Sequence, residues 1–137
     1  MEKAIFSAEI QELHELLAWV RKHLARAGLA KEVSRKVELA SEEAFVNIIK
    51  HSYRGQKGKV EIGLKWSRGL LEISIRDWGP PFDPLANAPS VNLEAPLEER
   101  EIGGLGIFLM QNVMDELVYK REQDTNLLIM VKRLSLN

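Results

Sequence analysis

The sequence predicts an α+β protein in which three helices pack on one face of a mixed, largely antiparallel sheet, giving a two-layer sandwich. Three observations support this prediction. Apolar residues recur with a helical period in three segments, they alternate with polar residues in two neighbouring segments, and glycine-containing turns separate the segments. A chain of 137 residues is long enough for one hydrophobic core, so we expect residues 1–137 to form a single domain.

The N-terminal part of the chain predicts one strand and two helices. Residues 3–8 have the pattern of a short strand. The apolar side chains that follow share one helical face, and Gly28 comes next in the position of a C-terminal cap. These side chains are Ile10, Leu13, Leu16, Leu17, Val20 and Leu24. The second helix is predicted over about residues 30–52, before a turn at Gly55 and Gly58.

The rest of the chain predicts two hairpins, with an irregular segment and a third helix between them. The first hairpin has alternating apolar residues on both strands, joined by Ser67-Arg68-Gly69. Its apolar residues are Val60, Ile62, Leu64 and Trp66, followed by Leu71, Ile73 and Ile75. Five prolines exclude a regular element across most of the stretch from Trp78 to Ile102. A third helix is predicted from about Leu105 to Met114, and residues 116–122 and 125–134 are predicted to form the closing strand pair.

Composition and charge exclude several classes of function. The net charge of −1 gives no electrostatic reason to expect binding to nucleic acid or to an anionic membrane. The absence of cysteine excludes disulfides, thiolate metal sites and thiol nucleophiles. No apolar run approaches the roughly 18–20 residues of a membrane span, and the N-terminus lacks the apolar region of a signal peptide. We therefore expect a cytoplasmic protein.

Glu43, Asn47 and Lys50 form the most informative pattern in the chain. Their spacing of four and three residues places them on one narrow stripe of the second helix. Apolar residues flank this stripe on both sides, and the solvent face is assigned to Ser34, Glu38, Ser41 and Glu42. A carboxylate, an amide and an ammonium turned toward a core are costly unless a bound group satisfies them. The stripe therefore predicts a site for a metal ion and phosphates.

Three further signals are weaker when taken singly. Asp77 follows Leu71, Ile73 and Ile75 at the same two-residue spacing, so it is predicted to face inward, and Gly79 comes two residues later. A carboxylate beside a glycine turn suits recognition of an amino group on a planar base. An Asp that caps a turn has the same pattern. Thr125 has the parity of Leu127 and is predicted to face inward, although for Thr125 alone a β-branched residue that begins a strand is the better explanation. Gly103-Gly104-Leu105-Gly106 stands directly before an apolar helix, where backbone amides favour anions.

The order of these motifs resembles the GHKL (Bergerat) ATP-binding fold. Glu-x-x-x-Asn on a helix, Asp-x-Gly after a strand, an irregular segment, Gly-x-Gly at a helix and a strand Thr follow one another along nearly the whole chain. Within that superfamily the sequence is most similar to the anti-sigma factor serine/threonine kinases, the switch-protein kinases of bacterial partner-switching systems. The stretches that carry this similarity are Glu43-Ala-Phe-Val-Asn47, Arg76-Asp-Trp-Gly-Pro-Pro-Phe-Asp-Pro84 and Gly103-Gly-Leu-Gly-Ile-Phe-Leu-Met110.

The resemblance implies ATP and Mg²⁺ as cofactors and assigns four residues to the chemistry. Asn47 would hold Mg²⁺ through its side-chain oxygen. Glu43 would be the general base toward a serine or threonine hydroxyl of a protein substrate. Asp77 would accept a hydrogen bond from the adenine amino group, and Gly79 would allow the base to approach closely.

The remaining site residues follow from the same resemblance. Gly104 and Gly106 would let the backbone of the helix, and of an ATP lid at about residues 82–102, reach the phosphates. Thr125 would support the adenine through water, and Lys50 would neutralise phosphate charge. One position departs from the family's Asp-x-Gly-x-Gly motif, because Pro81 stands where the second glycine is usual.

The implied partners are a sigma factor, a STAS-type anti-sigma factor antagonist that would be the phosphorylated substrate, and a second copy of the chain in a homodimer. An alternative reading is a nucleotide-gated binding module, in which ATP orders the lid and switches a protein interface without transfer. A detached histidine-kinase catalytic domain is a third reading, which the absence of a phosphoacceptor box disfavours.

Overall fold

A computed structural model of the protein describes residues 1–86 and 102–134, without the side chains of residues 102–105. The strands are β1 (Glu2–Ser7), β2 (Lys59–Ser67), β3 (Leu70–Asp77), β4 (Glu116–Glu122) and β5 (Thr125–Arg133). The helices are α1 (Leu13–Arg26), α2 (Lys31–Asn47) and α3 (Ile102–Val113). A 3₁₀ turn at Ile10–Glu12 precedes α1, and a π-helical turn at Ile48–Ser52 continues α2.

The five strands form one sheet in the order β1-β2-β3-β5-β4. All four strand pairings are antiparallel, which makes the sheet more regular than the mixed arrangement expected. Two tight hairpins set the register. Ser67 pairs with Leu70 across a two-residue turn in which Gly69 has a φ of 74°, and Glu122 pairs with Thr125 across a second two-residue turn.

The three helices cover one face of this sheet, which confirms the predicted two-layer α+β sandwich. Helix α2 lies between α1 and α3 and packs against both. The buried side chains of the sheet come from alternate positions of the central strands, as the period of two predicts. They include Val60, Ile62, Leu64, Leu71, Ile73, Ile75, Leu128 and Met130. The helices meet them with Leu16, Val20, Leu24, Val37, Ala40, Phe45 and Met110, among others.

Two helix assignments from the sequence need correction. Ser41, assigned to the solvent face of α2, is fully buried and donates its hydroxyl hydrogen bond to the Val37 carbonyl at 2.8 Å. A serine that bonds to the preceding turn carries no free polar group, so it fits the buried stripe of the helix. Helix α3 begins at Ile102, so Gly103 and Gly104 lie within its first turn and do not precede it.

The end of α1 agrees with the expected cap, because Gly28 follows the helix with a φ of 74°. No helix in the described part of the chain is long and apolar enough to cross a membrane. The predicted ATP lid at 82–102 lies outside the described residues except for its first five positions and its last one.

Candidate functional site

A partly open cavity lies between the C-terminal half of α2 and the ends of β3 and β5. The empty space of about 320 Å³ includes the open solvent at its mouth. Its wall is mainly apolar, with four polar side chains directed into it. The apolar residues are Ala44, Ile48, Ile75, Phe82, Pro84 and Leu128, and the polar ones are Asn47, Asp77, Tyr119 and Asn126. A flat, mostly apolar group with a few hydrogen-bonding atoms fits such a wall.

The Asp77 carboxylate is held at one end of this cavity. Its side chain is buried, with 2% exposed, and its Oδ1 accepts hydrogen bonds from three donors. They are the Ser52 hydroxyl at 2.5 Å, the Gly79 backbone N–H at 2.9 Å and the Asn126 side-chain amide at 3.0 Å. Because the three donors found among the described residues all point at Oδ1, Oδ2 is left to accept a hydrogen bond from a ligand.

Asn126 connects Asp77 to residues 80–82. Its Nδ2 also donates to the Pro80 carbonyl at 2.8 Å, while its Oδ1 accepts from the Phe82 backbone N–H at 3.1 Å and the Tyr119 hydroxyl at 2.6 Å. Burial raises the pKa of Tyr119, so the hydroxyl stays protonated as a donor. Both ends of the Asn126 amide are therefore satisfied by polar groups of the site itself.

Thr125 does not face this cavity, so the predicted parity of β5 is wrong by one residue. Asn126 pairs directly with Asp77 and Leu128 pairs with Ile75, so the even-numbered residues of β5 face the helices. The Thr125 hydroxyl lies on the opposite face of the sheet, where it accepts a hydrogen bond from Arg76 at 2.7 Å and donates to the Glu122 carbonyl at 2.6 Å. Asn126, the next residue along β5, faces the cavity and pairs with Asp77.

Asn47 lines the cavity from α2 and carries a buried amide nitrogen for which the described residues supply no hydrogen-bond partner. An unpaired buried amide is costly, so the position fits a polar ligand. Rotating the amide exchanges its nitrogen and oxygen, so the same side chain can present an oxygen to a cation. No group of three or more His, Asp or Glu side chains in residues 1–86 and 106–134 could hold a metal ion. A Mg²⁺ ion at Asn47 would therefore need phosphate and water oxygens as its other ligands, which Mg²⁺ commonly uses.

Glu43, one turn before Asn47, is half-buried between α2 and α3. Burial raises the pKa of its carboxyl group, the neighbouring Glu42 raises the pKa further, and Lys50 lowers it. Its carboxylate stands against Gly106, where an added Cβ would come within 2.6 Å of Oε2. The raised pKa makes this carboxylate more basic than an ordinary glutamate.

Lys50 is exposed, so the prediction that the whole stripe is turned toward the core is wrong for its third member. The cause is local, because α2 widens into the π-helical turn Ile48–Ser52 and leaves the 100° period on which the stripe depends. The ammonium group still acts on Glu43 electrostatically. The same turn brings Ser52, with 1% exposed, to the Asp77 carboxylate.

The predicted glycines lie at two ends of the site. A Cβ at Gly79 would collide with the Ser52 hydroxyl and come within 3.1 Å of Asp77 Oδ1, so a glycine is required beside the carboxylate. Gly104 lies in the first turn of α3, where backbone N–H groups have no intrahelical acceptor. Gly106 lies one residue beyond that turn, against Glu43.

Sequence reasoning missed Ser52, Asn126, Tyr119 and Phe82. Phe82 stacks on the His51 ring with centroids 5.3 Å apart, which places Phe82 against the π-helical turn. The pairing of β3 with β5 is the signal that could have identified Asn126. With the two-residue turn at 123–124 and Asp77 at the end of β3, Asn126 is the residue that faces Asp77 across the strands.

Comparison with known proteins finds relatives of this chain. Residues 6–132 match the sequence model of a family described as the histidine kinase-like ATPase domain. Two curated relatives are serine-protein kinases named RsbW. The one from Listeria innocua is 30% identical over 97 residues, covering 68% of this chain and 62% of that protein. The one from Bacillus cereus is 26% identical over 107 residues, covering 76% of this chain and 67% of that protein.

A solved structure has the same fold. The crystal structure of the RsbU and RsbW domains of a Mycobacterium tuberculosis protein matches all of this chain and 34% of that one, with a TM-score of 0.65 and 16% sequence identity. The chain spans only 62% of the length of the Listeria relative it matches. The likeness to this structure concerns the fold.

Proposed function

Because the chain belongs to the histidine kinase-like ATPase domain family, we propose that it is an ATP- and Mg²⁺-dependent protein serine/threonine kinase. One observation carries the proposal: a half-buried carboxylate of raised pKa, Glu43, stands one helical turn from the unpaired amide of Asn47, and Asn47 lines the same cavity as Asp77. The cavity thus connects Asp77 with Asn47, and Glu43 lies one helical turn from Asn47 on the same helix.

The base-binding end would hold adenine. Asp77 Oδ2 would accept a hydrogen bond from the exocyclic amino group, while Ser52, Gly79 and Asn126 fix the orientation of the carboxylate through Oδ1. The apolar wall of the cavity, with Ile48 at the start of the π-helical turn, would cover the faces of the ring. A carboxylate that cannot rotate discriminates against a base carrying a carbonyl oxygen at that position, because two acceptors would face each other.

The phosphate end would lie along α2 and the first turn of α3. Mg²⁺, when bound, neutralises phosphate charge, and Asn47 would be its protein ligand. Lys50 is exposed near Glu43 and would add a positive charge there. The backbone of the first α3 turn, which includes Gly104, would donate N–H groups to phosphate oxygens.

Glu43 would act as the general base. Its carboxylate would accept the proton that a serine or threonine hydroxyl of the substrate protein gives up during transfer. A raised pKa improves a carboxylate for this task, because a more basic group takes a proton more readily at neutral pH. Positioning and charge neutralisation supply most of the catalysis in phosphoryl transfer, so a single base of this kind is sufficient.

The similarity to serine-protein kinases named RsbW supports a protein serine or threonine as the phosphate acceptor. We propose that the protein binds a sigma factor and phosphorylates a STAS-type antagonist of anti-sigma factors. A homodimer would be the assembly in which it does so. The second candidate function is the nucleotide-gated binding module. The buried amide nitrogen of Asn47, which has no hydrogen-bond partner among the described residues, fits this function as well, because nucleotide binding does not require phosphate transfer.

The test measures transfer of the terminal phosphate of labelled ATP to a STAS-type protein whose gene neighbours the gene of this protein. Wild type, Glu43→Gln and the matched control Glu42→Gln would be compared with and without Mg²⁺. Label on a serine or threonine of the partner, lost in Glu43→Gln and retained in Glu42→Gln, supports the kinase. ATP binding that alters the affinity for a sigma factor without any labelled partner supports the binding module. Absence of ATP binding refutes both.

A further inference from the structure

Gly106 of helix α3 stands against the Glu43 carboxylate, and its place in the helix does not explain why it is a glycine. It has ordinary helical backbone, unlike Gly28, Gly55 and Gly69, whose φ angles are positive. Glycine within a helix is less favourable than alanine, so local structure alone would favour a side chain here. Some requirement outside the helix must therefore favour glycine.

Phosphate binding explains Gly106 poorly. The helix begins at Ile102, so Gly106 is its fifth residue and its N–H can bond to the Ile102 carbonyl within the helix. The backbone donors without an intrahelical acceptor belong to the four residues before it. Its amide is thus committed to the helix, and Gly104 is better placed for an anion.

The space beside Gly106 is taken by Glu43. Outside its own helix, and within the described part of the chain, an added Cβ would meet two atoms within 4 Å, which are Glu43 Oε2 at 2.6 Å and Glu43 Cδ at 3.5 Å. A separation of 2.6 Å is far inside van der Waals contact, so one of the two groups must move. The atom that would move is the far end of a flexible side chain, while the helices need not shift.

Gly79 makes a useful contrast. A Cβ there would meet the buried Ser52 hydroxyl, the fixed Asp77 carboxylate and the Ser52 backbone carbon at 3.3 Å. None of these groups can retreat easily, because Ser52 and Asp77 are almost fully buried and bonded to each other. A substitution at Gly79 is therefore expected to disturb both the fold and the proposed base-binding end of the site. A substitution at Gly106 displaces only the Glu43 carboxylate.

We propose that Gly106 is a positioning residue that reserves the space in which the Glu43 carboxylate stands. This inference rests on the proposed function, in which Glu43 is the general base. Any side chain at 106 displaces the carboxylate from the position between α2 and α3. A displacement of about 1 Å in a reacting group can lower a rate by about 100-fold, while ATP binding, which uses Asp77 and Asn47, is unaffected.

The experiment is a double-mutant cycle on Gly106→Ala and Glu43→Gln. We expect Gly106→Ala to bind ATP with Mg²⁺ within about threefold of wild type, to unfold at the same temperature or slightly higher, and to transfer phosphate roughly 10- to 100-fold more slowly in single-turnover assays. In the Glu43→Gln background the same Gly106→Ala change is expected to have no further effect on the rate, because the carboxylate it displaces is gone.

A second readout does not depend on transfer. Carboxyl NMR titration of Glu43 in the nucleotide-free protein is expected to show a raised pKa in wild type that moves toward the ordinary value in Gly106→Ala, as the carboxylate leaves its half-buried position. Loss of ATP affinity in Gly106→Ala, an unchanged Glu43 pKa, or additive effects in the cycle would each overturn the inference. A Glu43→Gln variant with wild-type transfer would instead refute the general-base assignment itself.

Discussion

Replacing Asn126 with alanine is expected to weaken both folding and nucleotide binding. The amide of Asn126 joins strand β5 to the Asp77 carboxylate, to residues 80–82 and to β4, and it is 4% exposed. Alanine fits the strand and keeps the backbone pairing with Asp77, so the change removes the polar network and leaves the sheet register intact.

The magnitude follows from the bonds that are lost. Four bonds of 3.1 Å or shorter link the amide to Asp77, Pro80, Phe82 and Tyr119. A net value of about 1 kcal/mol per bond gives an upper figure of about 4 kcal/mol. The cavity is partly open, so water can replace the bonds to residues 80–82. We therefore expect the free energy of unfolding to fall by about 2–3 kcal/mol.

Urea denaturation in the absence of nucleotide measures this loss. Asn112→Ala is the matched control, because Asn112 is exposed on α3 and, among the described residues, its side chain donates one hydrogen bond, to the Phe108 carbonyl at 2.9 Å. We expect Asn112→Ala to change the free energy of unfolding by no more than about 0.5 kcal/mol. Titration with a non-hydrolysable ATP analogue should show affinity reduced about tenfold or more in Asn126→Ala and unchanged in the control.

Two results would refute the reasoning. If Asn126→Ala is destabilised no more than Asn112→Ala, the hydrogen-bond network contributes nothing beyond what water supplies. If Asn126→Ala is destabilised as expected but binds the ATP analogue with wild-type affinity, Asn126 is purely structural. Its bond to Asp77 would then play no part in setting up the base-binding carboxylate.

Three other predictions concern the two ends of the site. Gly79→Ala is expected to be about 1–3 kcal/mol less stable in thermal denaturation and to bind ATP more weakly, because the new methyl group overlaps the Ser52 hydroxyl and crowds Asp77. Wild-type stability and wild-type ATP affinity in this variant would contradict the close contact at Gly79. Glu43→Gln is expected to be more stable than wild type at pH 7 and equally stable below about pH 4. The pKa of Glu43 is raised in the folded state, so the free energy of unfolding of the wild type falls as the pH rises from the ordinary pKa of 4.5 through the folded-state pKa. Equal unfolding midpoints of the two proteins at pH 7 would exclude that shift. Lys50→Met is expected to raise the pKa of Glu43 further, because the ammonium group of Lys50 lowers it. In a plot of the phosphate-transfer rate against pH, the acidic side of the profile should then move to higher pH. An unchanged profile would show that the ammonium group does not act on this carboxylate.

The fold was accessible from the sequence because its periodicities are unambiguous. The alternation on β2 and β3 assigns one face of the sheet to the core, and Gly28 and Gly69 mark chain reversals that require a positive φ. Asp77 continues the inward parity of β3, so the alternation of that strand is enough to predict that its carboxylate faces the cavity.

The face of β5 could not be predicted in the same way. Residues 127–131 are all apolar, so both parities of the strand are hydrophobic and the alternation carries no information about which side faces the helices. Only the cross-strand register decides it, and that register puts Asn126 opposite Asp77. The error at Thr125 is therefore the one-residue slip that a uniformly apolar strand permits.

The prediction for the residues that follow α2 was wrong for a different reason. The π-helical turn Ile48–Ser52 changes the angle between successive side chains, which moves Lys50 to solvent and Ser52 to the Asp77 carboxylate. A period of 3.6 residues describes Glu43 and Asn47 well and fails immediately after them. No local propensity in Ile-Ile-Lys-His-Ser announces this change.

Asp77 and Glu43, at the two ends of the proposed site, differ in rigidity, and that difference suits their proposed tasks. Asp77 is almost fully buried with three donors on one oxygen, so its orientation is a property of the folded state. Glu43 is half-buried, accepts no hydrogen bond from the described residues, and rests against a glycine. A group that binds a base benefits from being fixed, whereas a group that takes up a proton must tolerate both charge states. Substitutions at the Asp77 end should therefore lower stability and affinity together, while those at the Glu43 end should lower the rate of transfer and leave stability unchanged or higher.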